Sequence, residues 1–186
     1  MIYLQKRYII KLKQAQYHFS NILAKAKSFP FDEFAFELCA FIESARNITW
    51  AMQKEYANNL KFKEWYKLKQ EEMSKSQLFE FFNNKRVSIV HKGDSGLTAF
   101  TFYIKARTTL PPLEEIHVVM EKGIFTPDNE IVARTKDGKE VPMEKEIIRT
   151  PVFLELESRH VTEVCKEYLE KLEKMVVELE GLKVSE

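Results

Sequence analysis

The chain has 186 residues, 45% hydrophobic and 12% aromatic, with 29 lysines and arginines against 28 acids. That is enough apolar side chain for one sizeable core, and it excludes intrinsic disorder. No apolar run reaches the roughly 18 residues that span a bilayer, and the N-terminus from Met1 to Arg7 lacks the apolar stretch of a signal peptide, so a soluble, cytoplasmic protein without membrane contact is expected.

Leu4, Tyr8, Leu12, Ala15, Phe19, Ile22 and Ala26 recur at steps of four and three, which predicts one face of a long first helix ending near Pro30. Residues 1–31 carry Lys6, Arg7, Lys11, Lys13, Lys25 and Lys27 and no acid, with Tyr3, Tyr8, Tyr17 and Phe19 interleaved. A polyanion such as RNA could use Lys6, Arg7, Lys11 and Lys13; the alternative is a solvated basic face that attracts an acidic one. Asp32 is placed to cap a second helix, with Phe31 and Phe36 as a hydrophobic staple and Phe34, Leu38, Phe41, Ala45, Ile48 and Met52 on its buried face. Asn58-Asn59 ends it, a third helix spans about 62–73, and Ser74 with Gln77 has the spacing of a capping box for a fourth. Four helices with short loops imply a bundle.

Beyond Gly93-Asp94-Ser95-Gly96 the period changes to two. Phe100, Phe102 and Ile104 alternate with polar residues, as do Ile116, Val118 and Met120. Residues 131–141 straddle the turn signal Lys136-Asp137-Gly138-Lys139, and Val152, Leu154 and Leu156 suggest a last strand. An amphipathic helix over about 158–180 closes the chain, with Val161, Val164, Tyr168, Leu172, Met175 and Leu179 on one stripe. From Glu155 onward there are nine glutamates against five bases, a net of −4, opposite in sign to the first helix. The expected fold class is α+β: an up-and-down four-helix bundle over 1–95, then 96–186 as a small antiparallel sheet with a C-terminal helix, packed on the bundle.

Several chemistries find no support. Cys39 and Cys165 each sit in an apolar helical stripe and form no CxxC or Cys/His cluster, so no zinc site or disulfide is expected. With five glycines and neither GxGxxG nor GxxxxGK[ST], the chain is not a Rossmann or P-loop enzyme, and no cofactor or metal is expected. His18, His117 and His160 share no ligand spacing, and Trp50, Trp65 and Tyr66 read as packing between helices.

The residues that carry chemistry lie near the end of the fourth helix, where Arg86 and His91 are separated by four residues. An arginine can hold a phosphate and a histidine can move a proton near neutral pH, the minimum equipment for metal-free RNA cleavage. Leu78, Phe82 and Ile89 mark the buried stripe of this helix, and a step of four from Phe82 lands on Arg86, where a charge needs a partner. Glu43 on the second helix, flanked by Arg46 and Asn47, is the candidate acid. His91 lies about 140° around the axis from Arg86, so one rigid helix does not converge the two groups, whereas a two-fold dimer can.

On the Arg86-x4-His91 motif, late in a helical bundle, residues 1–95 resemble the HEPN superfamily, the higher eukaryote and prokaryote nucleotide-binding helical domains. The resemblance implies a metal-independent endoribonuclease of the kind found in toxin–antitoxin and defence systems. It acts as a homodimer on RNA, with an antitoxin or other protein as a further partner. Arg86 would neutralise the scissile phosphate, and His91 would act as general acid and base, leaving a 2′,3′-cyclic phosphate. Val87 stands where active members usually carry a polar residue. The alternative implied by the same resemblance is a non-catalytic interaction or scaffolding module that binds a protein or nucleic acid.

Overall fold

The structure, a computed structural model, describes residues 6–26, 30–92, 99–108, 116–120, 131–135, 137–141 and 143–182. The elements are α1 (Arg7–Lys25), α2 (Phe31–Glu55), α3 (Leu60–Ser74), α4 (Gln77–Lys92), β1 (Ala99–Thr108), β2 (Ile116–Met120), β3 (Ile131–Thr135), β4 (Glu140–Val141), β5 (Met143–Phe153), β6 (Arg159–His160) and α5 (Val161–Gly181). The fold class is α+β. Two compact units divide it: Met1–Phe100 with Thr150–Glu186, and Thr101–Arg149. No helix among the described residues is long and apolar enough to cross a membrane.

In the first unit, α1 and α2 form an antiparallel pair because each presents one apolar stripe of helical period. Tyr8, Ala15 and Ile22 of α1 are buried, as are Phe34, Leu38, Phe41, Ala45, Ile48 and Met52 of α2. The contacts run in opposite senses: the Arg7 backbone N–H donates to the Glu55 carboxylate (2.9 Å), Phe19 meets Phe41 midway, and Lys25 pairs with Glu33 at the far end. The stripe of α5 covers what this pair leaves open, with Val161, Val164, Tyr168, Leu172, Met175 and Leu179 all buried. α5 runs antiparallel to α1, as Gln16 donates to Glu173 (2.8 Å) and Lys6 pairs with Glu180 (3.5 Å). The basic start of the chain thus meets the acidic end. α3 begins at Asn59, whose side chain accepts from the Phe62 N–H (3.0 Å), and buries Phe62 and Tyr66. At the end of β5, Val152 pairs with His160 and Phe153 with Arg159 of β6, a reversal made through the left-handed residues Glu157 and Ser158.

In the second unit β2 pairs antiparallel with β3, Ile116 opposite Thr135 and Met120 opposite Ile131. β3 pairs with β4, and the turn between them places Gly138 at φ +80°, a backbone conformation that L side chains resist. β1 is hydrogen-bonded to β5.

The structure departs from the sequence reading at several points. The boundary expected at 95/96 assigns the last helix to the sheet, whereas α5 belongs to the unit of the helices, because its buried stripe is part of their core. Asp32 does not cap α2, which starts at Phe31 after Pro30, and no side chain caps it. Phe36 is 70% exposed, so it staples nothing. Ser74 donates to the Glu71 carbonyl within α3 (2.9 Å) instead of capping α4. Leu154–Leu156 forms a 3-10 turn, not a strand. Trp50 lies on the surface beneath the Lys54 ammonium, 5.5 Å from its ring centroid. Leu4, Phe29 and Gly93 lie outside the described residues.

Tyrosine ionisation gives this core a pH limit. Burial, then hydrogen bonds to Glu180 and Tyr56, holds the Tyr8 hydroxyl well above its usual range; burial raises Tyr168 and Tyr66 as well. Unfolded, these hydroxyls ionise near 10; folded, they keep their protons. Stability from this source is therefore intact below about pH 9. It falls above 10 by up to about 1.4 kcal/mol per pH unit for each tyrosine. Tyrosinate absorbance followed against pH should show part of the seven tyrosines ionising only as the protein unfolds.

Candidate functional site

α4 carries the Arg86–His91 pair, and its own periodicity decides where each points. Leu78, Phe81, Phe82 and Lys85 are buried and Ile89 packs partly on the core. Asn83, Val87 and Val90 form the opposite, exposed ridge, with Val87 41% and Val90 48% exposed. At about 100° per residue, Arg86 and His91 flank that ridge, each about 70° from its centre and about 7.5 Å apart along the axis. Arg86 is half-buried and His91 exposed. Both are accessible, and a single helix keeps them on separate sides of the valines.

The charge in the core is that of Lys85, not Arg86. A step of three from Phe82 leads to Lys85, which is only 5% exposed. Its ammonium pairs with Glu155 at 2.8 Å and lies 5.8 and 5.9 Å from the ring centroids of Phe81 and Phe153. The long apolar stem explains why lysine fits a core-facing position: methylenes pack inward while the head reaches an acid at the edge. Glu43 is exposed, and no acid among the described residues pairs with Arg86, so the expected Arg86–Glu43 ion pair is not formed.

Lys85→Met keeps the packed stem and removes the buried charge, so it should be neutral or slightly stabilising. Glu155→Ala leaves the ammonium without its counter-charge and should cost about 2 kcal/mol, less than for a fully buried pair because Glu155 is 45% exposed. Urea midpoints of both single variants and the double variant check this. The double variant should match Lys85→Met.

A second feature lies beside α4. A cavity of about 510 Å³ opens between α2, α3 and α4, with Arg46, Thr49 and Gln53 on one wall, Tyr66 and Gln70 on another, and Phe79, Glu80 and Asn83 on the third. Tyr168 of α5 also lines it. Arg46, Thr49 and Gln53 recur at helical spacing just beside the apolar stripe of α2. Arg46 donates to Thr49 Oγ1 (2.8 Å), and Gln53 Nε2 donates both to the Thr49 carbonyl (3.2 Å) and to the Tyr66 hydroxyl (3.0 Å). Burial raises the Tyr66 hydroxyl, opposed by a hydrogen bond from Thr49 and by the charge of Arg46. Arg46 and Asn83 are thereby brought to one cleft. Glu43 and Asn47, their neighbours in the sequence reading, do not line it. Sequence reasoning passed over Thr49, Gln53 and Asn83 and read Tyr66 as packing between helices, where it is indeed buried; the signal available for Thr49 and Gln53 was the polar i, i+3, i+7 row on an otherwise apolar helix.

The basic residues of α1 divide. Lys6 is engaged by Glu180, with its ammonium 5.8 and 5.7 Å from the Tyr8 and Tyr56 ring centroids. Lys11 donates to Gln14 (2.9 Å), while Arg7 and Lys13 are exposed. His18 pairs with Glu37 (2.7 Å), whose other oxygen accepts from Asn21 (3.0 Å), which fixes α1 to α2.

A helical protein with a motif-bearing fourth helix and a strand-rich unit placed before its last helix is the class these features define. The family described as bacteriophage lambda protein ea47 matches residues 11–152, from α1 to the end of β5, and the chain belongs to that family. No curated protein and no solved structure matches it.

Proposed function

We propose that the protein is a HEPN-like, metal-independent endoribonuclease that works in the cytoplasm as a homodimer. The observation that carries this reading is the placement of Arg86 and His91 on the two flanks of the exposed Val87–Val90 ridge, with no acid neutralising Arg86 among the described residues. When the valine ridges of two copies pack with their α4 helices parallel about a two-fold axis, Arg86 of one copy lies on the same side of the seam as His91 of the other. The guanidinium then holds the phosphate through parallel hydrogen bonds. His91 accepts the proton of the 2′-hydroxyl as its oxygen attacks phosphorus, and an imidazolium returns a proton to the departing 5′-oxygen. The products are a 2′,3′-cyclic phosphate and a 5′-hydroxyl.

Purified protein incubated with single-stranded RNA in EDTA should yield cyclic-phosphate ends. Cleavage that persists at full rate in His91→Ala would sink the proposal. Val87 supports a second reading, a non-catalytic module whose apolar ridge docks a protein partner. A dimer or heterocomplex disrupted by Val87→Asp, without RNA cleavage by the wild type, would favour it.

A further inference from the structure

We propose that the cavity between α2, α3 and α4 binds a free, zwitterionic amino acid with an apolar side chain. Neither Arg86 nor His91 lines this cavity, and the inference holds whether or not those residues cleave RNA. Its volume, about 510 Å³, is within the range that small organic ligands occupy.

The lining carries two charges, and they are opposite in sign. Arg46 stands on the α2 wall and Glu80 on the α4 wall, yet they form no ion pair with each other or with any other described residue. A ligand with only a negative charge is drawn by Arg46 and repelled by Glu80, and an amine meets the reverse. A molecule that carries both charges is complementary to both walls.

Each wall is equipped for its half of such a ligand. Arg46 donates one N–H to Thr49 Oγ1 (2.8 Å), and that hydroxyl donates to the Arg46 carbonyl (3.3 Å). The guanidinium is thereby held against its own helix, with its remaining donors left for a planar carboxylate and little order to be gained on binding. An ammonium brings three donors and needs acceptors around it. The Glu80 carboxylate is one, and the side-chain carbonyl of Asn83, three residues on and on the same face of α4, is a second. Ser74 at the end of α3 gives its proton to the Glu71 carbonyl (2.9 Å), so it meets a ligand as the third.

The rest of the lining turns apolar at Met73 and Phe79. Both are only partly buried against the core, which leaves them surface to cover. Glycine uses the two charged walls and leaves this surface wet; leucine, methionine or phenylalanine covers it.

The test is calorimetric titration of the full chain, in EDTA, with L-leucine, L-methionine, L-phenylalanine and glycine. Two further series are the N-acetyl derivatives, which lack the ammonium, and the corresponding primary amines, which lack the carboxylate. At least one of the three apolar amino acids should bind about tenfold or more tightly than glycine and than its own acetylated and amine counterparts. Arg46→Met should bring that amino acid down to the level of its amine, and Glu80→Gln should bring it down to the level of its N-acetyl derivative. Glu80→Gln changes only an exposed side chain at the rim, so it reads the ammonium site independently of any effect of Arg46→Met on folding. Absence of binding by all three at millimolar ligand, glycine or either derivative binding as tightly as the parent amino acid, or affinity unchanged in Glu80→Gln overturns the proposal.

Discussion

Replacing Phe82 by alanine should lower the unfolding free energy by about 4 kcal/mol, close to half of what a typical domain has. Phe82 is 1% exposed and stands where α2, α4, α5 and the end of β5 converge. Its ring stacks on Tyr168 at 4.1 Å, and Phe81, Phe41 and Phe153 approach it edge-on at 5.2, 6.3 and 6.3 Å. Truncation removes the transfer energy of the ring and leaves a cavity that four separate elements would have to close together. Leucine fills part of that space and should cost clearly less. Phe36→Ala is the matched control, since that ring is 70% exposed and its removal should stay within about 0.5 kcal/mol. Urea unfolding of the three variants measures these differences. A loss below 1 kcal/mol in Phe82→Ala would mean that the aromatic junction does not organise the core.

This junction also marks how far the sequence could be read. The stripes of α2 and α5 were legible because an amphipathic helix announces its buried face through period alone, and all six positions named on each are buried. The β3–β4 turn was legible because Asp137-Gly138 needs a positive φ that glycine supplies, and Gly138 has one. Arg86 was misplaced because steps of three and four from Phe82 both stay on one helical face. Local spacing does not say which of two adjacent cations is drawn inward. That choice is made by Glu155 and Phe153, remote in sequence and brought beside Lys85 only by the fold. The same non-local logic moved α5 into the unit of the helices. It also hid the cavity, whose walls come from α2, α3, α4 and α5 and carry no contiguous motif.

The Arg86–His91 surface leads to a prediction that separates a composite site from one contained in a single chain. Arg86→Ala and His91→Ala should each reduce RNA cleavage by at least about a hundredfold, the scale of losing a phosphate clamp or a general acid and base. Mixing the two inactive proteins after denaturation and refolding, so that subunits exchange, then gives mixed dimers as about half of the population. If each site takes Arg86 from one copy and His91 from the other, a mixed dimer has one site with both residues intact and one with neither. About a quarter of wild-type activity should then return. If both residues of a site come from the same chain, every site in the mixture lacks one of them and nothing returns. The helical geometry favours recovery when the two α4 helices pack in parallel: about 140° of rotation separates Arg86 from His91 on one α4, and the exposed Val87–Val90 ridge lies between them. A third variant, Val87→Asp, places a carboxylate on that ridge and should abolish both dimer formation and the recovered activity, since burying two like charges against each other is unfavourable. Light scattering on each mixture reads the association state independently of RNA cleavage. Recovery without a dimer, or a dimer without recovery, would show that the ridge and the catalytic pair are not one device.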